Sequence, residues 1–239
     1  MWVTGSVGSV AEWSTAWVVE TRSATVAMAS VDDVDSAAVA ASARRLSSEE
    51  KARAASIPRE MERVRFQVGR LLLRALAGQV LGVEPTRLSV TARCPDCGGP
   101  HGAPVLVGGP AGAAVNVSYS GAIVAVAVSA DVPVGVDVET PVARSRELAE
   151  LAVSDAGGGG TAVDPLRQWT RVEAVLKADG RGLRLDHSAV SFQRRGIQLA
   201  ASVPAAHGRG RSSFAVMDLD MTGSPYPDVI ASLATASSH

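Results

Sequence analysis

Two short stretches of this sequence place acids and a cation where they can do chemistry. The first is Val134-Gly135-Val136-Asp137-Val138-Glu139. Side chains on a strand alternate faces, so the three valines point into a core and Asp137 and Glu139 share the opposite face. Two neighbouring carboxylates repel unless a cation lies between them, and hard oxygen ligands of this kind suit Mg²⁺. The plain alternative is a solvated strand face that ends in acids. The second stretch runs from Trp169 to Lys177. On a helix Trp169, Glu173 and Lys177 lie one above another, at i, i+4 and i+8. An ordinary Glu–Lys surface pair, worth a few tenths of a kcal/mol, does not explain why a Trp begins the stripe. Nor does it explain why, of 23 basic residues, one of only two lysines (Lys51 and Lys177) stands here.

Three weaker groups accompany them. Asn116-Val117-Ser118-Tyr119-Ser120-Gly121 offers hydroxyls and backbone amides to a phosphate, or is simply a turn. Residues 44–74 carry nine Arg or Lys against four Glu, a local excess of five in a chain of net charge −1, which suits an anionic ligand or an acidic partner. Cys94-Pro95-Asp96-Cys97 with His101 offers three ligands where zinc normally takes four, so it reads as a turn. His187, His207 and His239 belong to no constellation, and there is no Gly-rich phosphate loop or Ser/His/Asp pattern.

The elements that must position these groups follow from periodicity and punctuation. Residues 25–30 read as a strand and 36–45 as a helix. Ser47 and Glu50 have capping-box spacing, opening a further helix. Pro58 and Gly82 bracket a helix over 59–81, with Val64, Val68, Leu71, Leu72, Ala75, Leu76 and Val80 as its core stripe. Residues 93–112 form a loop. Runs at 113–118, 122–129 and 134–139 look like an antiparallel meander. A short helix is expected at 144–151, a flexible loop around the four glycines 157–160, and a helix over 166–178 stopped by Gly180. Strands at 190–202 and 213–219 and a last helix at 228–236 complete the chain. The order predicts an α+β chain of two similar halves. Residues 1–22 form an N-terminal extension, 23–115 the first half and 116–239 the second.

Composition narrows the classes. The chain has 239 residues, 46% of them hydrophobic, enough for a large core. Net charge −1 and pI near 6.4 argue against a general nucleic-acid binder. Two cysteines exclude a disulfide framework. No apolar run of about 18 residues suggests a membrane span. The first twenty residues hold Glu12 and Glu20 without Lys or Arg, so no secretory leader is expected and a cytoplasmic protein is.

Taken in order, these motifs resemble the 4′-phosphopantetheinyl transferases of the larger, surfactin-synthetase-activating type. The resemblance spans roughly residues 25–236. It rests on VGVDVE at 134–139 and WTRVEAVLKADGRGL at 169–183, supported by RFQVGRLLLRALAG at 65–78, CGGPHGAP at 97–104 and NVSYSG at 116–121. It implies two α/β halves related by a pseudo-twofold, with coenzyme A in the cleft between them, and a monomer. The implied activity moves the phosphopantetheine arm from coenzyme A to a serine of an acidic acyl or peptidyl carrier protein, with Mg²⁺. Carried over, Asp137, Glu139 and Glu173 are metal ligands, and Glu173 is also the base. Lys177 steadies the pyrophosphate. Arg70 with Arg65 or Arg63 holds the 3′-phosphate end, and Pro104, Ser118 and Tyr119 line the substrate site. Three positions depart from the family pattern: Tyr119 replaces a histidine, and Ala103 and Val172 replace lysines. These departures also fit a diverged member that binds a carrier protein without transferring, or that catalyses another reaction in a biosynthetic pathway.

Overall fold

The structure, a computed structural model, describes residues 4–6, 16–140, 164–206 and 210–237. In chain order the described elements are β1 (Thr4–Ser6), β2 (Trp17–Glu20), β3 (Thr25–Ser30), α1 (Ser36–Ala43), α2 (Ser48–Ala55), α3 (Glu60–Leu81), β4 (Ser89–Thr91), β5 (Val105–Val107), β6 (Ala114–Ser120), β7 (Ile123–Ser129), β8 (Val134–Glu139), α4 (Pro165–Asp179), β9 (Ser191–Arg195), β10 (Gln198–Pro204), β11 (Arg211–Asp218) and β12 (Ile230–Ala236). The chain is therefore α+β. One antiparallel sheet has the order β1-β2-β3-β7-β6, another β8-β12-β11-β10-β9, and β4 pairs with β5. No described helix is long and apolar enough to cross a membrane.

Hydrophobic clusters show the layering. One face of the first sheet (Ala27, Ala29, Val124, Val126) packs under α3 through Val68, Leu72 and Leu76. Its other face (Val26, Met28, Ala125, Ala127) meets Val134, Val136, Val138 and Leu233 of the second sheet. The far side of the second sheet buries Val203, Phe214 and Ala234 under Ala174, Val175 and Ala178 of α4. The order of layers is helices, sheet, sheet, helix.

Local signals account for most element ends. Ser47 and Glu50 form both capping-box bonds, at 3.2 and 2.8 Å. Glu50 also accepts from the Val90 amide and from Arg74, tying α2 to β4 and α3. Gly82 and Gly180 end α3 and α4 in the left-handed conformation, which glycine adopts without a Cβ penalty.

Several expectations are corrected. The meander stops at β7, because β8 leaves it to pair with β12. Sheet membership changes at 130–133, whereas the division at 115/116 falls inside β6. Residues 190–202 are a hairpin of two strands that turns at Gly196. The last helix expected at 228–236 is instead a strand, β12, which lies between β8 and β11. Small side chains suit it there: Ala231 and Leu233 face the first sheet, while Ala234 lies under α4. The 1–22 extension, part of which reads as an edge strand, supplies β1 at the edge of the first sheet and β2 beside it. The helix expected at 144–151 and the glycine loop at 157–160 lie outside the described residues.

Candidate functional site

The two acids of β8 stand at the seam where the sheets' edge strands, β6 and β8, run side by side. No backbone ladder joins them. Three alternate side chains of β6 do so instead: Asn116 accepts the Val136 amide at 3.3 Å, Ser118 the Val138 amide at 3.4 Å and Ser120 the Thr140 amide at 3.0 Å. The constant offset of twenty residues means the strands run in the same direction. The serine hydroxyls then donate to the acids, Ser118 to Asp137 at 2.9 Å and Ser120 to Glu139 at 2.7 Å. The polar cluster is thus a strand joined through its side chains, with Asn116, Ser118 and Ser120 all buried.

The valines of β8 face the core as expected. The acids' face, however, is not solvated, because α4 covers it. Asp137 and Glu139 are 4% and 6% exposed. Gly135 permits this covering. A Cβ there would strike the Ala174 carbonyl and lie 2.5 Å from the Ala178 nitrogen, both helix backbone. At that close approach Lys177 reaches the seam. Its Nζ donates to Asp137 Oδ1 at 2.6 Å, Ser118 Oγ at 2.9 Å and the Val136 carbonyl at 3.2 Å. Burial pushes the Asp137 carboxyl above its ordinary pKa. The charge and hydrogen bond of Lys177 and the bond from Ser118 pull it down, and the nearby Glu173 charge adds to the rise.

Glu173, one turn before Lys177, has a partner the sequence reading missed. His187 Nε2 lies 2.7 Å from Glu173 Oε1, and its ring stacks on Trp169 with centroids 5.0 Å apart. The stripe Trp169–Glu173 is thus closed by a histidine from the short turn His187–Ala189. No spacing rule links residues fourteen apart across a chain reversal. Helix α4 itself is docked by Arg171, whose guanidinium grips Asp218 at 2.9 and 2.5 Å. Burial pushes the Asp218 carboxyl up, but Arg171 and Arg167 outweigh it and hold it below its usual range.

Asp137, Glu139 and Glu173 offer oxygen donors on adjoining elements, as Mg²⁺ requires. Asp137 Oδ2 is buried without a hydrogen-bond partner among the described residues, an acceptor suited to a small hard cation. The three carboxylates are not drawn together as tightly as a filled site. Among the described residues, the group of three ligand atoms within 4.8 Å of one another is Cys94, Cys97 and His101. The seam residues fit the ion in chemistry, and holding it requires them to close.

The other expected site residues divide between two places. Ser118 belongs to the seam, but Tyr119 points to the opposite face of β6, as strand alternation demands. Its ring edge packs against Gly69 of α3, where a Cβ would come within 2.9 Å of it. Tyr119 is 36% exposed as a whole, but its hydroxyl end is pressed against α3 at Gly69, and that desolvation pushes the phenol up, opposed by the Arg70 and Arg65 charges. Arg65 donates to the Gly121 carbonyl at 2.6 Å, and Arg70 lies over the Phe66 ring at 4.9 Å. Arg63 is elsewhere, lining an open depression of about 360 Å³ with Arg44, Lys51 and Gln67 above Leu46 and Ala54. Pro104 is half-buried where the chain enters β5.

Compared with known proteins, the chain matches no protein-family model and no curated protein.

Proposed function

We propose that this chain transfers the 4′-phosphopantetheine arm of coenzyme A to the serine hydroxyl of an acyl or peptidyl carrier protein. The observation that carries the reading is the seam. Asp137, Ser118 and Lys177 converge there, Glu173 lies one helical turn away, and a buried carboxylate oxygen lacks a partner. In this reading the two five-stranded sheets are the related halves, and coenzyme A lies across their junction. Asp137, Glu139 and Glu173 would hold Mg²⁺, which when bound neutralises charge on the pyrophosphate. Glu173 accepts the carrier serine's proton, directly or through water, and His187 orients that carboxylate. The serine oxygen attacks the phosphorus that bears the pantetheine arm. The pyrophosphate bond breaks, adenosine 3′,5′-bisphosphate leaves, and Lys177 offsets its developing charge. Arg70 and Arg65 stand on one side of β6, where they can hold the 3′-phosphate. Arg63 stands with Lys51 and Arg44, where an acidic carrier finds a cationic rim around an apolar floor.

The test is a carrier domain's mass after incubation with coenzyme A and Mg²⁺. A gain of one phosphopantetheine, lost on chelation and in Glu173→Gln, is expected. No gain with several carriers that a control enzyme modifies refutes the reading. A second reading, a diverged member that binds without transferring, is favoured by the Lys177 ammonium seated on Asp137 Oδ1 and by Tyr119 in place of histidine. Saturable calorimetric binding of coenzyme A without any carrier mass gain selects it.

A further inference from the structure

Separately from the transfer reading, we propose that Cys94, Cys97 and His101 form a zinc site with one open coordination position. The sequence alone gave three candidate ligands in a turn. In the folded chain their ligand atoms all lie within 4.8 Å of one another, and Cys97 Sγ is 3.0 Å from His101 Nε2. In a tetrahedral site with Zn–S near 2.3 Å, ligand atoms sit about 3.8 Å apart, so shifts of about 1 Å or less, outward for the Cys97–His101 pair, separate this group from a filled site.

The backbone is already folded for that purpose. The Gly98 amide donates to the Cys94 carbonyl and the Cys94 amide to the Gly99 carbonyl, both at 2.8 Å. The Gly99 amide points at Cys97 Sγ at 3.4 Å. The turn needs its glycines. Gly98 has φ +71°. A Cβ at Gly99 would come within 3.2 Å of Cys97 Sγ and 3.0 Å of the His101 ring, and one at Gly102 would strike the Arg93 carbonyl. Glycine at these positions leaves the two sulfurs and the imidazole facing one point.

Two thiolates and an imidazole select zinc over Mg²⁺, whose preference is for the carboxylates of the seam. Asp96 stands outside the group of ligand atoms within 4.8 Å of one another: one carboxylate oxygen accepts from the Cys94 thiol at 3.8 Å and the other lies 3.7 Å from Arg184. Cys97 and His101 are exposed, so the fourth position faces solvent and takes water or an added thiolate or carboxylate. Arg93 meets Glu49 of α2 at 3.6 Å. An ion here would therefore pin a turn that touches both α2 and, through Asp96, the segment after α4.

The full chain, purified without an affinity tag or chelator, should carry one zinc per molecule. Metal-free protein titrated with Co²⁺ should show a thiolate-to-cobalt charge-transfer band and the ligand-field bands of tetrahedral cobalt. Cys94→Ser, Cys97→Ser and His101→Ala should each weaken Zn²⁺ binding by more than the roughly 10–100-fold that follows loss of a residue that merely orients a ligand. Their far-ultraviolet circular dichroism should be unchanged. Asp137→Asn should keep the zinc, so failure of the transfer reading leaves this site standing and the reverse. Wild-type protein with two freely reactive thiols, no stoichiometric zinc and only octahedral cobalt bands overturns the proposal. So does a Cys94–Cys97 disulfide in protein isolated without oxidant, or unchanged zinc affinity in His101→Ala. The wild-type cobalt spectrum decides the matter even if a variant fails to fold.

Discussion

Replacing Lys177 by methionine keeps the packing of its stem and removes the cation from the seam. Asp137 is then left 4% exposed, with Ser118 as the remaining donor to Oδ1. Breaking a buried pair by removing one partner costs about 3–5 kcal/mol. Protonation sets an upper limit, because the carboxyl can take up a proton instead of staying charged. Its ordinary value is 3.8. From there to pH 7 is 3.2 units at about 1.36 kcal/mol each, so the cost at pH 7 cannot exceed about 4.4 kcal/mol. The sign follows from burial. Asp137 already titrates above its unfolded value, and losing Lys177 raises it further. The penalty relative to wild type is therefore absent below the wild-type pKa of Asp137, itself above 3.8, and grows as pH rises from there toward the further-raised pKa. Urea denaturation of Lys177→Met between pH 4 and 8 should show a loss at pH 7 below the limit of about 4.4 kcal/mol, recovered at up to about 1.4 kcal/mol per unit on acidification. Adding Asp137→Asn removes the charge and should restore most of the stability at pH 7. A loss independent of pH, or a double variant no more stable than Lys177→Met, refutes the claim that the lysine is there to neutralise a buried acid.

Three further outcomes test the surrounding geometry. Gly135→Ala should cost about 1–3 kcal/mol or more in thermal or chemical denaturation, because the added methyl meets helix backbone that cannot turn aside. Ser120→Ala deprives the Thr140 amide of its acceptor and Glu139 of one donor, and should cost about 1–3 kcal/mol in the same assay. His187→Phe keeps the stacking on Trp169 but loses the bond to Glu173. If that bond orients a working carboxylate, it should lower kcat for carrier modification about tenfold or more, a loss of roughly 1.4 kcal/mol, with stability close to wild type.

The sequence carried what depends on local pattern. Alternation in VGVDVE assigned the valines to the core and the acids to one face. The spacing of Glu173 and Lys177 placed both on one side of α4, and Gly180 marked where that helix stops. What it did not carry was contact between segments that share no period. Nothing in NVSYSG says that its alternate side chains will bond the amides of a strand twenty residues on, because such rungs have no sequence signature apart from polar residues at every second position. The same ignorance of partners made residues 228–236 look helical. Alanine favours helix when alone, but a central strand pressed between a sheet and a helix also wants small side chains. His187 was invisible for the opposite reason: its meaning lies wholly in the chain reversal that lays it on Trp169.

The seam also explains why reactive groups collect there. Two edge strands that meet must satisfy each other's amides or remain open to a stranger. An ordinary ladder would have drawn β6 and β8 to about 4.8 Å and left no room between them. Bridging by Asn116, Ser118 and Ser120 holds the backbones further apart and fills the interval with hydroxyls and an amide. That interval accommodates Asp137 and Glu139 below the surface, where an acid without hydrogen bonds would be too costly to keep. It also admits one ammonium from above, provided the helix bearing it can approach closely, which Gly135 allows. The serines are therefore both structural fasteners and donors to the acids. A change that restored a true ladder would abolish the site by closing it, even with every acid still in place.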